Sequence, residues 1–178
     1  MGLEIIPVGG FSEVGRNCTI VKVDDEAVML DLGLHMDNYI SYTDNELDDV
    51  AHKKDMTAEA LMRVNAVPDF NRFRELLPMV KAICISHAHL DHVGAAPFLG
   101  NKLPNASIHG TRYTIEVLKE MLTSESMHIR NQLVEHDINS KFRVSKNITV
   151  EFVNITHSIP QTVMIVVHTP YGSVVYAN

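Results

Sequence analysis

Cysteine is scarce in this chain. Cys18 and Cys84 are the only two in 178 residues and make no disulfide framework, which points to a reducing, cytoplasmic setting. Cys84 lies inside the apolar run Val80-Lys81-Ala82-Ile83-Cys84-Ile85 and reads as a small buried hydrophobe. Long apolar runs are also missing. No stretch approaches the roughly 18 residues that suggest a membrane span, so no membrane partner is expected. The opening Met1-Gly2-Leu3-Glu4 lacks the basic and long apolar regions of a signal peptide, and Ile6 stands where a myristoylation signal needs Ser or Thr. Positive charge is in short supply: 15 Lys and Arg against 22 Asp and Glu give a formal net charge of −7. That balance argues against a broad basic nucleic-acid face, although a local basic channel can sit inside an acidic sum. Repeats and low-complexity tracts are absent. What the chain has in quantity is apolar residues, 46% of the total, enough for one domain with its own core rather than disorder.

Short β-branched or apolar runs at 4–8, 18–23 and 27–30 predict strands, bounded by Gly9-Gly10 and by Asp24-Asp25. From Met36 to Val67 the pattern breaks down. Tyr42 to Asp49 is polar and acidic, and the stretch is expected to be a surface insertion with some local helix. A short helix is expected over 71–77, closed by Pro78. Val80 to Ser86 reads as a buried strand, 94–99 as a short helix and 106–109 as a further strand. Thr111 to Thr123 is the clearest helix, with Val117, Leu118, Met121 and Leu122 on one stripe and Thr111 as N-cap. Ile148, Val150 and Phe152 alternate with polar neighbours in a half-buried strand, and two more strands, 163–168 and 173–176, flank the turn Pro170-Tyr171-Gly172.

The chemistry concentrates in His87-Ala88-His89-Leu90-Asp91-His92, directly after the buried strand. Imidazole and carboxylate are the ligands of catalytic zinc, at roughly 2.0–2.2 Å. A tight loop lets His87 and His89 point one way while Asp91 and His92 turn towards a neighbouring position. Three protein ligands leave an open position for water, whose pKa zinc lowers to about 7, and two metals roughly 3.5–4 Å apart can polarise a phosphate while presenting hydroxide to it. His157 ends a strand before Ser158-Ile159-Pro160 and, read together with the cluster, is a further ligand. Asp31 follows the strand ending at Leu30; alone it would be a turn-former, but beside the cluster it reads as a carboxylate that orients a ligand histidine or a metal-bound water. Ser158 suits either a phosphate contact or a turn. His35, His52, His109, His128, His136 and His168 lack ligand spacing and read as packing or surface residues.

With these residues in view the sequence resembles the metallo-β-lactamase superfamily, and more narrowly the ribonuclease J family of the β-CASP group in its archaeal form. Three stretches carry the resemblance: Val8-Gly9-Gly10-Phe11-Ser12-Glu13-Val14-Gly15-Arg16-Asn17-Cys18, the run HAHLDHVGAAP from His87 to Pro97, and His157-Ser158-Ile159-Pro160 with His168-Thr169-Pro170-Tyr171-Gly172. The resemblance implies an α/β (α+β) fold, the αββα sandwich. Residues 1–178 are expected to be the N-terminal portion of that domain, with the insertion at about 36–67 and an end at Asn178 that falls before the family's fourth metal motif and before its β-CASP domain. It also implies two Zn2+ in an intact enzyme, one held by His87, His89 and His157 and one by Asp91 and His92, with one or an incomplete set in this chain. The implied activity is a zinc-dependent ribonuclease that hydrolyses RNA phosphodiester bonds as a 5′-to-3′ exonuclease through metal-activated hydroxide, with Asp31 and Asp91 as catalytic carboxylates and RNA as partner. A homodimer through regions outside this chain is compatible with the resemblance. Other readings are a cleavage-factor-type endonuclease, a thioesterase or lactonase on the same fold, or an inactive zinc-binding fragment.

Overall fold

The computed structural model describes residues 2–46 and 56–177. The first three strands, β1 (Leu3–Gly9), β2 (Cys18–Val23) and β3 (Glu26–Leu30), form an antiparallel meander. Asp24 at φ 56° makes the β2–β3 turn, a backbone region that Asp tolerates. Next to β3 the sheet continues in parallel with β4 (Val80–Cys84), β5 (Ser107–Thr111) and β6 (Leu133–His136), in the order β1-β2-β3-β4-β5-β6. Strand β4 is buried except at Lys81, as a covered parallel strand must be. The second sheet is antiparallel, in the order β10-β9-β8-β7, from β7 (Lys141–Arg143), β8 (Thr149–Asn154), β9 (Val163–Thr169) and β10 (Gly172–Tyr176).

Two cores follow from the alternation of side chains along these strands. Val21, Val23, Val28, Leu30, Ala82 and Cys84 face Ile148, Val150, Phe152, Val163, Ile165 and Val167 between the sheets. The opposite face of the six-stranded sheet, with Ile20, Met29, Ile83 and Ile108, packs under five helices: α1 (Met36–Glu46), α2 (Ala58–Arg63), α3 (Leu90–Val93), α4 (Ala96–Leu99) and α5 (Arg112–Ser124). The layers run helix, sheet, sheet. Among the described residues no helix covers the outer face of the four-stranded sheet, so three of the four layers of the αββα sandwich are seen.

Several local expectations change. The segment expected to lie on the surface as an insertion sends Leu61, Met62, Ala66 and Val67 into the core, with Tyr39 and Tyr42 packed against it. Leu47, Asp48 and Asp49 of the acidic stretch, and also His52, lie outside the described residues. The helix expected over 71–77 is a 3-10 turn, Phe70–Phe73, followed by another, Leu77–Met79, that contains Pro78 instead of stopping before it. The bonds along this stretch span three residues, Arg72 N–H to Asp69 O, Leu76 N–H to Phe73 O and Met79 N–H to Leu76 O, while Phe70 N–H donates to Met62 Sδ (3.3 Å). Strands β6 and β7 have four and three residues, too short to show a period in the sequence. Thr111 does sit at the N-cap of α5 in extended conformation, but its hydroxyl accepts from no helix N–H; it donates to Gln161 O (3.1 Å) and meets Thr114 Oγ1 (3.1 Å).

Candidate metal centre

The site forms where the two sheets converge beyond the C-terminal ends of β3 and β4. After Cys84 the chain stays extended between the sheets: Ile85 N–H donates to His109 O on β5 (2.8 Å), and Val163 N–H at the start of β9 donates to Ser86 O (3.0 Å). This fixes Ser86 and His87 at the seam. His89 is the N-cap of α3, and Asp91 and His92 lie on that helix's single turn. His157 comes from the loop between β8 and β9, and so from the other sheet.

Three histidines meet there. His87 Nε2 and His157 Nε2 each lie 3.1 Å from His89 Nδ1, and the ligand atoms of all three fall within 4.8 Å of one another. Ligands on a tetrahedral zinc at about 2.0–2.1 Å are about 3.3 Å apart, so the donor set fits such an ion. Burial grades from His87, 1% exposed, to an exposed His157, so the cluster is closed on the β4 side and open on the other.

Asp31 explains how the cluster is oriented. Its carboxylate is fully buried and accepts from Ser86 N–H (2.7 Å), Ser86 Oγ–H (2.8 Å) and His92 Nδ1–H (2.7 Å). With its hydrogen on Asp31, Ser86 Oγ can only accept from His87 Nδ1, 2.9 Å away. The network therefore assigns both imidazoles the Nδ1–H tautomer and aims their Nε2 lone pairs away from Asp31. His92 Nε2 then lies 3.4 Å from Asp91 Oδ2 and 3.2 Å from Asn17 Nδ2, which also donates to the Asp91 carbonyl (3.0 Å). Backbone contact closes this second group: Asn17 N–H donates to Asp91 O and Leu32 N–H to His92 O. Gly33 makes that approach feasible, since a Cβ there would stand 1.7 Å from Asp91 O.

Burial, then the neighbouring His92, holds the His87 imidazole down at about 4, so it is neutral and able to ligate near neutral pH. For His92 burial acts in the same direction, but the hydrogen bond and charge of Asp31, with Asp91, outweigh it and leave the group raised.

The structure thus brings His87, His89 and His157 into one group, with Asp91 and His92 in a second beside it and Asp31 behind both. Ser158 Oγ stands 3.4 Å from His89 Nε2, behind that ring. His35 is not part of the site: its Nδ1 accepts from Asn38 N–H (3.3 Å) at the start of α1. Sequence reasoning assigned no role to Ser86 or Asn17. Asn17 lies in the glycine-rich opening, and Ser86 is a polar residue ending an apolar strand; only those placements could have marked them.

The family model of the metallo-beta-lactamase superfamily matches residues 12–177. Ribonuclease J of Methanocaldococcus jannaschii is 42% identical over 100% of this chain and 38% of its own length, and ribonuclease J of Pyrococcus abyssi is 39% identical over 98% and 37%. The chain therefore spans under two fifths of these curated relatives. Among solved structures, a metallo-beta-lactamase fold protein from Bacillus subtilis has a TM-score of 0.62 at 12% identity, covering 99% of this chain and 62% of that one. The short form of human tRNase Z has a TM-score of 0.57 at 12% identity, covering 96% and 67%. Likeness at that identity speaks for the fold alone. Fold, histidine cluster and family match agree, and the chain belongs to the metallo-beta-lactamase superfamily.

Proposed function

We propose that this chain carries the metal-binding part of a zinc-dependent ribonuclease that hydrolyses RNA phosphodiester bonds, acting from the 5′ end. The observation that carries the reading is the convergence of His87, His89 and His157 within 4.8 Å at the seam between the sheets. The similarity to the two archaeal ribonucleases J supports RNA as the substrate class. In this reading His87, His89 and His157 hold one ion, and Asp91 with His92 contributes to a second. Bound zinc supplies Lewis-acid polarisation of a phosphoryl oxygen and an acidified water. Asp31, acting through Ser86 and directly on His92, keeps two ligand nitrogens free of protons. Asp91, whose side chain is 34% exposed, is the carboxylate of the site open to solvent and helps to hold the geometry of the second group. Asn17 holds that carboxylate in place through its side-chain amide (3.3 Å). Two free, buried cysteines suit a reducing cytoplasm, where we place the protein.

The test is zinc content by mass spectrometry together with RNA hydrolysis, using RNA labelled at either end. The expected result is bound zinc, release of mononucleotides from the 5′ end, and loss of both in His87→Ala and His157→Ala. Hydrolysis of thioester or lactone substrates in the presence of zinc, with RNA untouched, would overturn the reading.

A further inference from the structure

The loop between β1 and β2 holds two large apolar side chains out in solvent: Phe11 is 69% exposed and Val14 89%. The loop that carries them is firmly anchored. Gly9 pairs with Cys18 at its base. Gly10, at φ 86°, packs so closely on Asn17 that a Cβ there would stand 2.3 Å from Asn17 Oδ1. Gly15, at φ 121°, rests on the backbone of His35, and Arg16 is held by Glu13 (2.5 Å) and by Asn65 (3.2 Å). The tip therefore has an anchored backbone, and among the described residues none covers most of its aromatic ring.

The same anchoring ties the loop to the candidate centre. Gly10 touches Asn17, and Asn17 touches Asp91 and His92. Following those contacts and one Cα–Cα step, the Phe11 Cα lies within roughly 13 Å of the His92 ring, a distance that a short oligonucleotide spans easily. The charge of the loop adds a second argument. Arg16 is the single cation among residues 10–17, and its guanidinium is already engaged by Glu13, so the loop itself offers little attraction for phosphate. A nucleic acid held here must draw on contacts other than charge, and base stacking on an aromatic face is sequence-tolerant and strong enough to serve.

We infer that Phe11 is a stacking platform for a nucleobase of single-stranded RNA, with Val14 extending the apolar ledge, and that it holds the strand beside the metal centre. The inference rests on the ribonuclease reading. It assigns Phe11 to substrate binding and leaves the chemistry to the histidine cluster.

The chain has no tryptophan, so Phe11→Trp gives a single emission reporter at this point. The probes are a ten-nucleotide oligoadenylate and an abasic oligomer of the same length. Affinities are read by anisotropy for the wild type, Phe11→Ala and Phe11→Tyr. The expected result is quenching of Phe11→Trp by oligoadenylate but not by the abasic oligomer. Phe11→Ala should weaken oligoadenylate about tenfold and leave the abasic oligomer unchanged, while Phe11→Tyr keeps the wild-type affinity. If the wild type binds both oligomers equally, with Phe11→Trp silent and Phe11→Ala unaltered, stacking is overturned while the RNA reading stands. Failure of the wild type to bind or cleave either oligomer overturns the RNA reading and the platform with it. A change in sedimentation for Phe11→Ala with RNA affinity unaltered also overturns the platform, in favour of a protein contact.

Discussion

Asn at position 31 would test the orienting network with the least change of shape. Asp31 has φ 61°, a left-handed conformation that Asn adopts readily, so Asp31→Asn adds no backbone strain where Ala would. The amide keeps one oxygen for Ser86 N–H and turns its NH2 towards Ser86 Oγ and His92 Nδ1. His92 must then offer a lone pair at Nδ1, which moves its proton to Nε2. Ser86, no longer donating to a carboxylate, donates to His87 Nδ1 and moves that proton to Nε2 as well. One substitution thus turns N–H groups from two imidazoles into the metal centre. Charge-assisted hydrogen bonds to a buried carboxylate contribute about 1.5–3 kcal/mol each, and the amide recovers part of that. We expect a net loss of about 2 kcal/mol, which for a chain of this size lowers Tm by about 4–8 °C. Zinc affinity should fall about 10- to 100-fold, as for other lost orienting partners of ligand histidines. Long-range 15N–1H spectra of the imidazoles, a competitive zinc titration and thermal unfolding followed by circular dichroism provide the measurements. Unchanged His87 and His92 tautomers, with zinc affinity within twofold of wild type, would refute the network as drawn.

Gly33→Ala should destabilise the fold by about 3 kcal/mol in urea unfolding and loosen the Asp91–His92 group, because the new methyl meets the Asp91 carbonyl, not a movable side chain. His109, buried and hydrogen-bonded to His136 Nδ1-to-Nε2 at 2.8 Å, is held down to about 4 by burial and then by His136. Its folded value lies below the unfolded one, so its contribution is complete above about pH 6.5. That contribution falls by about 1.4 kcal/mol per pH unit as pH drops towards 4. Urea unfolding at pH 7, 6 and 5 should show this slope, and His109→Gln should flatten it. Cys18 and Cys84 are fully buried, with thiols raised first by burial and then by Asp31. Both should resist a thiol reagent such as dithionitrobenzoate in the native chain and react only after unfolding.

Much of this molecule was legible because its strongest signals are local. Four ligand-type residues within six positions, next to a buried run, mark a site whatever the rest of the chain does. Strands such as Cys18–Val23 and Val163–Thr169 show themselves by their own composition. What stayed hidden depends on partners far away in sequence. Leu133–His136 and Lys141–Arg143 are strands only because neighbouring edges supply their hydrogen bonds. The segment after Met36 looked polar, yet Leu61 and Met62 find a core to fill. Asn17 reaches Asp91 across 74 positions, and the Asp31–Ser86 bond spans 55. Both are hydrogen-bond choices that single-residue patterns do not encode.

The paired hydrogen bonds after β4, from Ile85 to β5 on one side and from β9 to Ser86 on the other, also bear on how the molecule assembles. His157 reaches His89 only after the four-stranded sheet has docked on the six-stranded one, a closure spanning 68 positions. An ion held by all three histidines would therefore work as a clamp between layers, adding stability that grows with the logarithm of free metal concentration. Chelation would then be felt first as slippage of one sheet against the other, so that the proposed catalytic ingredient and the mechanical fastener of this fold would be the same atom.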